Sequence, residues 1–262
     1  MQHFHLQHSK LIGVNKLVLL ALTGLLLAGC KNQSAGADTR NQAQTDQSVA
    51  NVVNQTVSGT PSTASAAKPG PVPSGYTRLP DLSKTPVRSF KSAPQMALKP
   101  GVDYATVIDT SKGQMVIDLF EDVPTSTNSF IWLARHKFYD GILFHRVIDG
   151  FVVQGGDPNT LGSDRNSWGQ GGPGYTIPLE VRTKYNFDQK GVLGMARAQD
   201  PDSGGSQFYI TLAPAPSLDG QYTVFGKVVQ GQDVLDKITK YEPPAAGTPD
   251  KMLDVYIVTK NK

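Results

Sequence analysis

The chain has 262 residues, 39% of them apolar, with 25 Lys and Arg against 22 Asp and Glu. Setting aside Lys10 and Lys16 of the first 29 residues leaves 23 bases against 22 acids, a balance that gives no reason to expect nucleic acid as a partner. A single cysteine, Cys30, excludes an intramolecular disulfide and a cysteine-built zinc site; His136 and His145, with no third ligand nearby, suggest neither a metal nor a cofactor.

In chain order, residues 1–16 are polar and carry both of those lysines, and residues 17–27 are an unbroken run of small and apolar side chains ending in Leu27-Ala28-Gly29-Cys30. This is the layout of a secretory signal peptide over residues 1–29. The apolar run is too short to span a bilayer core of ~30 Å, which takes about 20 residues. Its ending resembles a bacterial lipobox. That resemblance implies cleavage before Cys30 and lipidation of its sulfur, with each buried CH₂ of the acyl chains worth about 0.8 kcal/mol on the membrane. The expectation is a lipoprotein of the bacterial cell envelope, facing the periplasm or the exterior; the alternative is a secreted protein whose cysteine falls there by chance. Lys31 in place of an aspartate hints at the outer membrane of a double-membraned host.

Residues 30–75 hold no aromatic and no Leu, Ile or Met. Such a stretch cannot offset its ordering entropy and reads as a disordered linker. Residues 76–101 mix Tyr76, Leu79, Leu82, Val87, Phe90 and Met96 with prolines and read as an irregular arm. Residues 102–262 are long enough for one hydrophobic core and form the folded domain.

Within the domain, residues 104–109 and 115–120 alternate around Ser111-Lys112-Gly113, the pattern of a hairpin. Pro124 opens a helix predicted to run to Lys137, with Thr125, Ser126 or Thr127 as its cap and basic residues at its end. Short β-type runs follow at 144–147, 151–154, 191–196, 207–212, 223–229 and 253–259, and residues 231–240 read as a second helix. Eight strands and two helices argue for a mainly antiparallel β architecture whose edges need closure; pattern alone does not separate barrel from sandwich.

The densest signal is Phe144-His145-Arg146-Val147-Ile148-Asp149-Gly150-Phe151-Val152-Val153-Gln154-Gly155-Gly156-Asp157. It reads as a hairpin whose alternation sends Arg146, Phe151 and Gln154 to one surface, given a bulge or twist near the turn. A cation and an amide beside an apolar floor suit a neutral ligand with a polarisable amide. Then come Gly194-Met195-Ala196-Arg197-Ala198, Gly205-Ser206-Gln207-Phe208-Tyr209-Ile210, and Leu218-Asp219-Gly220-Gln221-Tyr222-Thr223-Val224-Phe225-Gly226. Together the four blocks resemble the cyclophilins, peptidyl-prolyl cis–trans isomerases, in that family's order over roughly residues 102–260. The resemblance implies a closed eight-stranded antiparallel barrel with a helix over each end, and proline-containing polypeptides as substrates. It implies no metal and no cofactor.

It also implies roles. Arg146 matches the catalytic arginine, supported by Phe151 and Gln154; His145 beside it reads as structural, since no proton transfer is needed. Phe151, Val152, Tyr209 and Leu218 match the proline pocket, and Gln154 and Gln207 two polar groove positions, with Gln154 supporting Arg146. Ala196 and Arg197 match the rim before the proline, where Arg197, standing for a common asparagine, would favour acidic substrates. Tyr222 stands where histidine is common. Ser217 stands where a tryptophan often helps to hold cyclosporin, so weak cyclosporin binding with activity retained is expected. A monomer is expected.

Three rival readings exist. Asp202-Ser203-Gly204-Gly205 is a fragment found around protease nucleophiles, but no histidine with a suitable context accompanies it. Gly169-Gln170-Gly171-Gly172-Pro173-Gly174 fits a dinucleotide fingerprint by count but no helix follows, so it reads as a flexible loop near the groove. The third is a non-catalytic module of the same fold that binds Pro-containing segments.

Overall fold

The computed structural model describes residues 67–261 apart from Pro244, so the leader, Cys30 and the linker to residue 66 lie outside the described residues. One antiparallel sheet is built from β1 (Tyr76–Arg78), β2 (Tyr104–Thr110), β3 (Gly113–Leu119), β4 (Arg146–Ile148), β5 (Val152–Gly155), β6 (Val192–Met195), β7 (Phe208–Thr211), β8 (Val224–Gln230) and β9 (Met252–Lys260). The strand order is β1-β9-β2-β3-β8-β6-β7-β5-β4. Among the described residues two helices, α1 (Pro124–Arg135) and α2 (Gln232–Lys237), complete the regular structure with three short 3₁₀ turns. No helix among the described residues is long and apolar enough to cross a membrane.

The eight domain strands and two helices are those expected, and the arm adds β1 beside β9 as a ninth strand. The two ends of the eight-stranded set meet through one isolated bridge rather than a ladder, Leu143 with Lys251, while β4 itself bridges through Val147 to Tyr241 in the loop between α2 and β9. Backbone bonds from Gly141 N to Met252 O (2.7 Å) and from Met252 N to Ile142 O (2.9 Å) add to this seam. A three-residue β4 is too short to ladder further.

Alternation sets what each strand buries. On β5, β6 and β7 the side chains of Val153, Leu193, Met195, Phe208 and Ile210 enter the main core, where Phe130 and Phe225 also lie. Val152, Val192 and Tyr209, one position out of step, belong to a second cluster with Phe187, Ala215 and Val224. All seven residues of β2 are buried, because a third cluster of Ala105, Val107, Val116, Tyr256 and Val258, with Tyr76 of the arm against it, covers its other face.

The cap of α1 is not the one expected. Its N-cap is Val123, which offers no side-chain bond. Glu180, from a distant loop, accepts instead from Thr125 N (3.0 Å), Ser126 N (2.7 Å) and Ser126 Oγ (2.8 Å). A carboxylate at a helix N-terminus meets both the free N–H groups and the positive end of the dipole. The helix stops at Arg135, short of Lys137, which takes a left-handed φ of 56°. Likewise α2 ends before residue 240, as Ile238 turns extended and Thr239 N donates to Asp250 Oδ2 at 2.7 Å.

The arm finishes the far end of α1. Leu82 N donates to Arg135 O (2.6 Å), Val87 N to His136 O (3.0 Å) and Arg88 Nη1 to Lys137 O (3.2 Å), so carbonyls without helical partners are satisfied. Phe90 packs on the rings of Trp132 and His136. Contacts start before residue 76: Gly70 N donates to Asp109 Oδ1 (2.9 Å) and Gln114 Nε2 to Pro71 O (3.0 Å), so the described end of the expected linker is docked.

At this junction Asp140 accepts from Val255 N at 3.2 Å and lies 3.8 Å from Lys137 Nζ. Burial, helped by the nearby Asp254, pushes its carboxyl from 3.8 up to about 6. The folded state therefore holds this proton more tightly than the unfolded chain, and stability from this group is lost as pH rises from about 4 through about 6. Asp140→Asn cannot ionise. Its stability relative to the native protein, read from urea midpoints, is expected to rise between pH 5 and pH 8, whereas parallel curves would contradict the assignment.

Candidate active site

The hairpin of β4 and β5 turns through Asp149, Gly150 and Phe151, with Gly150 at φ 65°, where a side chain would be strained. No bulge is needed, because Arg146 pairs directly with Gln154, Val147 with Val153 and Ile148 with Val152. Gln154 pairs in turn with Tyr209 on β7, and Tyr209 with Gly194 on β6. Directly paired residues share a face. Arg146, Gln154, Tyr209 and Gly194 thus form one row across four strands, on the face opposite the main core.

Gly194 is what lets the row lie flat. A Cβ there would stand 2.5 Å from Tyr209 Cζ, so the tyrosine ring occupies the space a side chain would need. The ring meets Tyr222 edge-on, with centroids 5.9 Å apart. Phe151 comes over from the hairpin turn, and Arg146 Cζ lies 5.9 Å from its ring centroid.

A cleft of about 260 Å³ opens here. Phe151, Val152, Tyr209 and Leu218 supply its apolar lining; Arg146, Gln154, Ala196, Arg197 and Tyr222 complete it. Gln207, also marked from the sequence, stands behind Gln154: it accepts from Gln154 Nε2 at 3.1 Å and donates to Gly171 O at 2.9 Å. A larger cavity of about 400 Å³ lies between the arm and α1, lined by residues such as Leu98 and Ile131, and none of the marked residues borders it.

Three expectations change. Gln154 braces Gln207, and it is Glu242, unmarked in the sequence, that holds Arg146, through Arg146 Nε to Glu242 Oε1 at 3.2 Å. Arg197 is committed to its own surroundings. It donates to Gln221 O from Nε (3.2 Å) and Nη2 (3.1 Å) and to Ala198 O from Nη1 (2.9 Å), and lies 4.6 Å over the Tyr222 ring. With those donors occupied it is a brace of the rim, and a preference for acidic substrates loses its basis. The loop at 169–174 is pinned rather than loose, since Gly169 N donates to Asp157 and Phe90 N to Pro173 O.

The other candidates separate from the cleft. His145 is 2% exposed, and burial holds its pKa below the usual histidine value, so it stays neutral near pH 7. Ser203 is occupied in a turn, accepting from Ala198 N (2.8 Å) and donating to Asp200 O (2.5 Å). No helix follows the glycine run at 169–174 to receive a phosphate.

Residues 105–260 match the family described as cyclophilin type peptidyl-prolyl cis-trans isomerase/CLD. A peptidyl-prolyl cis-trans isomerase of Helicobacter pylori is 46% identical over 138 residues, which is 52% of this chain and 79% of that one. One from Arabidopsis thaliana is 38% identical over 132 residues, 50% of this chain and 77% of that one. Among solved structures, a cyclophilin type peptidyl-prolyl cis-trans isomerase of Cryptosporidium parvum superposes with a TM-score of 0.52 at 29% identity, covering 59% of this chain and 97% of that chain.

One detail of the cleft is testable without substrate. The Tyr209 hydroxyl is buried and meets no hydrogen-bond partner among the described residues. Burial raises its pKa, so it stays a neutral phenol. Tyr209→Phe keeps the ring and removes the unpaired group, and is expected to stabilise the fold by about 1 kcal/mol in denaturant titration. A loss of stability would reveal a partner for the hydroxyl.

Proposed function

Since the chain belongs to the cyclophilin-type peptidyl-prolyl cis–trans isomerases, we propose that the cleft lined by Arg146 is where X-Pro bonds turn, in exported or cell-envelope proteins that need help to fold. The chain is an isomerase and an enzyme. The observation carrying the placement is that a permanently charged fork and an apolar notch of Phe151, Val152, Tyr209 and Leu218 border one cleft.

The chemistry follows from the imide. Rotation about a peptide bond must cross ~18–20 kcal/mol because resonance holds it planar, and no covalent step is required. Halfway round, the lone pair of the imide nitrogen is localised and becomes a hydrogen-bond acceptor. A donor aimed at that nitrogen stabilises the twisted form more than either planar isomer, and only this difference accelerates exchange. An acceleration of about 10⁵ takes roughly 7 kcal/mol. Arg146 supplies the donor and holds the proline carbonyl. The apolar notch seats the ring, Gln154 meets the flanking backbone, and Gln207 holds Gln154. Ala196 and the braced Arg197 form the edge along which the residues before proline lie, and Tyr222 can donate through its hydroxyl.

Ser217 is exposed at the cleft's edge, beside Leu218, so cyclosporin is expected to bind weakly while isomerisation is kept. The chain is expected to act as a monomer, tethered to the membrane through lipidated Cys30. Mass spectrometry of the membrane fraction is expected to find the mature N-terminus at Cys30 carrying acyl chains; an unmodified Cys30 would end the anchoring proposal.

Arg146→Ala is expected to lower kcat/KM for an X-Pro peptide by about 10²–10³, the scale of losing one aimed donor, with folding intact by circular dichroism. Activity unchanged in this variant would move the chemistry elsewhere.

A further inference from the structure

Glu242 owes its position to the backbone. Val147 N donates to Tyr241 O (2.5 Å) and Tyr241 N to Val147 O (3.1 Å), an antiparallel bridge. In such a pair the residue after Tyr241 falls opposite the residue before Val147. Those residues are Glu242 and Arg146, and their side chains meet through Arg146 Nε and Glu242 Oε1 at 3.2 Å. The loop is also held beyond the bridge. Arg165 donates to Ala245 O and Gly247 O, both at 2.8 Å, and to the Tyr241 hydroxyl at 3.2 Å. Its guanidinium lies 5.4 Å from the Trp168 ring centroid.

An exposed ion pair formed by two swinging side chains contributes little. Here both backbones are fixed, and only side-chain torsions remain to be ordered. The pair uses Arg146 Nε–H alone. The two terminal amino groups carry no hydrogen bond among the described residues and are left for a ligand.

We propose that Glu242 is a positioning residue for the isomerisation: by accepting from Arg146 Nε–H it fixes the plane of the guanidinium, so that the terminal amino groups are presented to the twisting imide. This rests on the reading of Arg146 as the donor. Without Glu242 the fork turns about its last torsions and is aligned for a smaller part of the time. The apolar notch still grips the proline ring. The loss therefore falls on turnover rather than on affinity.

Exchange NMR with a saturating X-Pro peptide reads the two quantities separately. Glu242→Ala is expected to slow interconversion of the bound peptide by about fivefold, with Kd changed by less than about twofold. Glu242→Gln keeps an acceptor oxygen and is expected to recover most of the rate. The Arg146 Nε–H resonance should broaden in Glu242→Ala and sharpen again in Glu242→Gln, while the thermal midpoints of both variants stay at the native value. If Arg146→Ala is slow and Glu242→Ala turns over like the native protein, the positioning role is overturned and the reading of Arg146 stands. If Arg146→Ala itself turns over normally, that reading fails and this one with it. Equal losses in the Ala and Gln variants that follow a lowered midpoint would assign Glu242 to stability alone.

Discussion

Period-two alternation commits β5, β6 and β7 to carry apolar side chains on both faces. One row, with Val153, Leu193 and Ile210, fills the interior beside Phe130 and Phe225. The other, with Val152, Val192 and Tyr209, needs its own cover and takes it from Phe187, Ala215 and Val224, with Phe151 and Leu218 packed at the margin. Burying apolar area releases roughly 25 cal/mol per Å², so such a row is covered wherever the chain can reach it. The cleft is where cover is incomplete. A proline ring is small, rigid and apolar, and in the proposed function it fills that gap and completes a burial the fold leaves unfinished.

The charges in and around the cleft are arranged so that an uncharged ligand can enter. Arg146 and Arg197 each have part of the donor set occupied, by Glu242 and by the carbonyls of Gln221 and Ala198 respectively. His145 is buried and neutral, and Tyr209 remains a phenol. Neither His145 nor Tyr209 changes state near neutral pH, as suits a reaction that moves no proton. In the function proposed above, the binding energy comes from the apolar notch and the donors act on what changes during rotation.

The elements were legible where a local pattern determines them. The alternation at 104–119 and the hairpin around Gly150 predict β2 to β5 to within about two residues, because side-chain period and turn chemistry are local. The cleft residues were legible through their resemblance to a family, since Arg146, Tyr209 and Gly194 come from three separate stretches. What the sequence hid were partners fixed by long-range geometry. Glu180 caps α1 from 54 positions away and displaces the expected threonine and serine caps. Glu242 reaches Arg146 across 96 positions, and only the bridge at Val147 brings them together. Arg197 looked like a free charge because nothing local announces that the carbonyl of Gln221, 24 positions on, will take it.

The arm shows the same dependence on distant partners, and it bears on how the cleft stays open. Its residues had the composition of an irregular segment. Its order comes from three things outside itself: the edge of β9, which β1 extends, the unpaired carbonyls after α1, and the rings of Trp132 and His136. Arg78 adds an ion pair with Asp254 on β9 at 2.8 Å and lies 4.0 Å over the Tyr256 ring. Each partner is a group that would otherwise cost free energy: an open strand edge, carbonyls at a helix end, an apolar patch facing water. These partners lie on β9 and at the C-terminal end of α1, whereas the cleft is built on β4 to β7 and the loops beside them; Phe90 N also donates to Pro173 O, in the loop whose Gly171 accepts from Gln207. No residue of the arm lines the cleft. A segment drawn to the fold's unsatisfied groups is kept out of the cleft's lining by the same forces that order it.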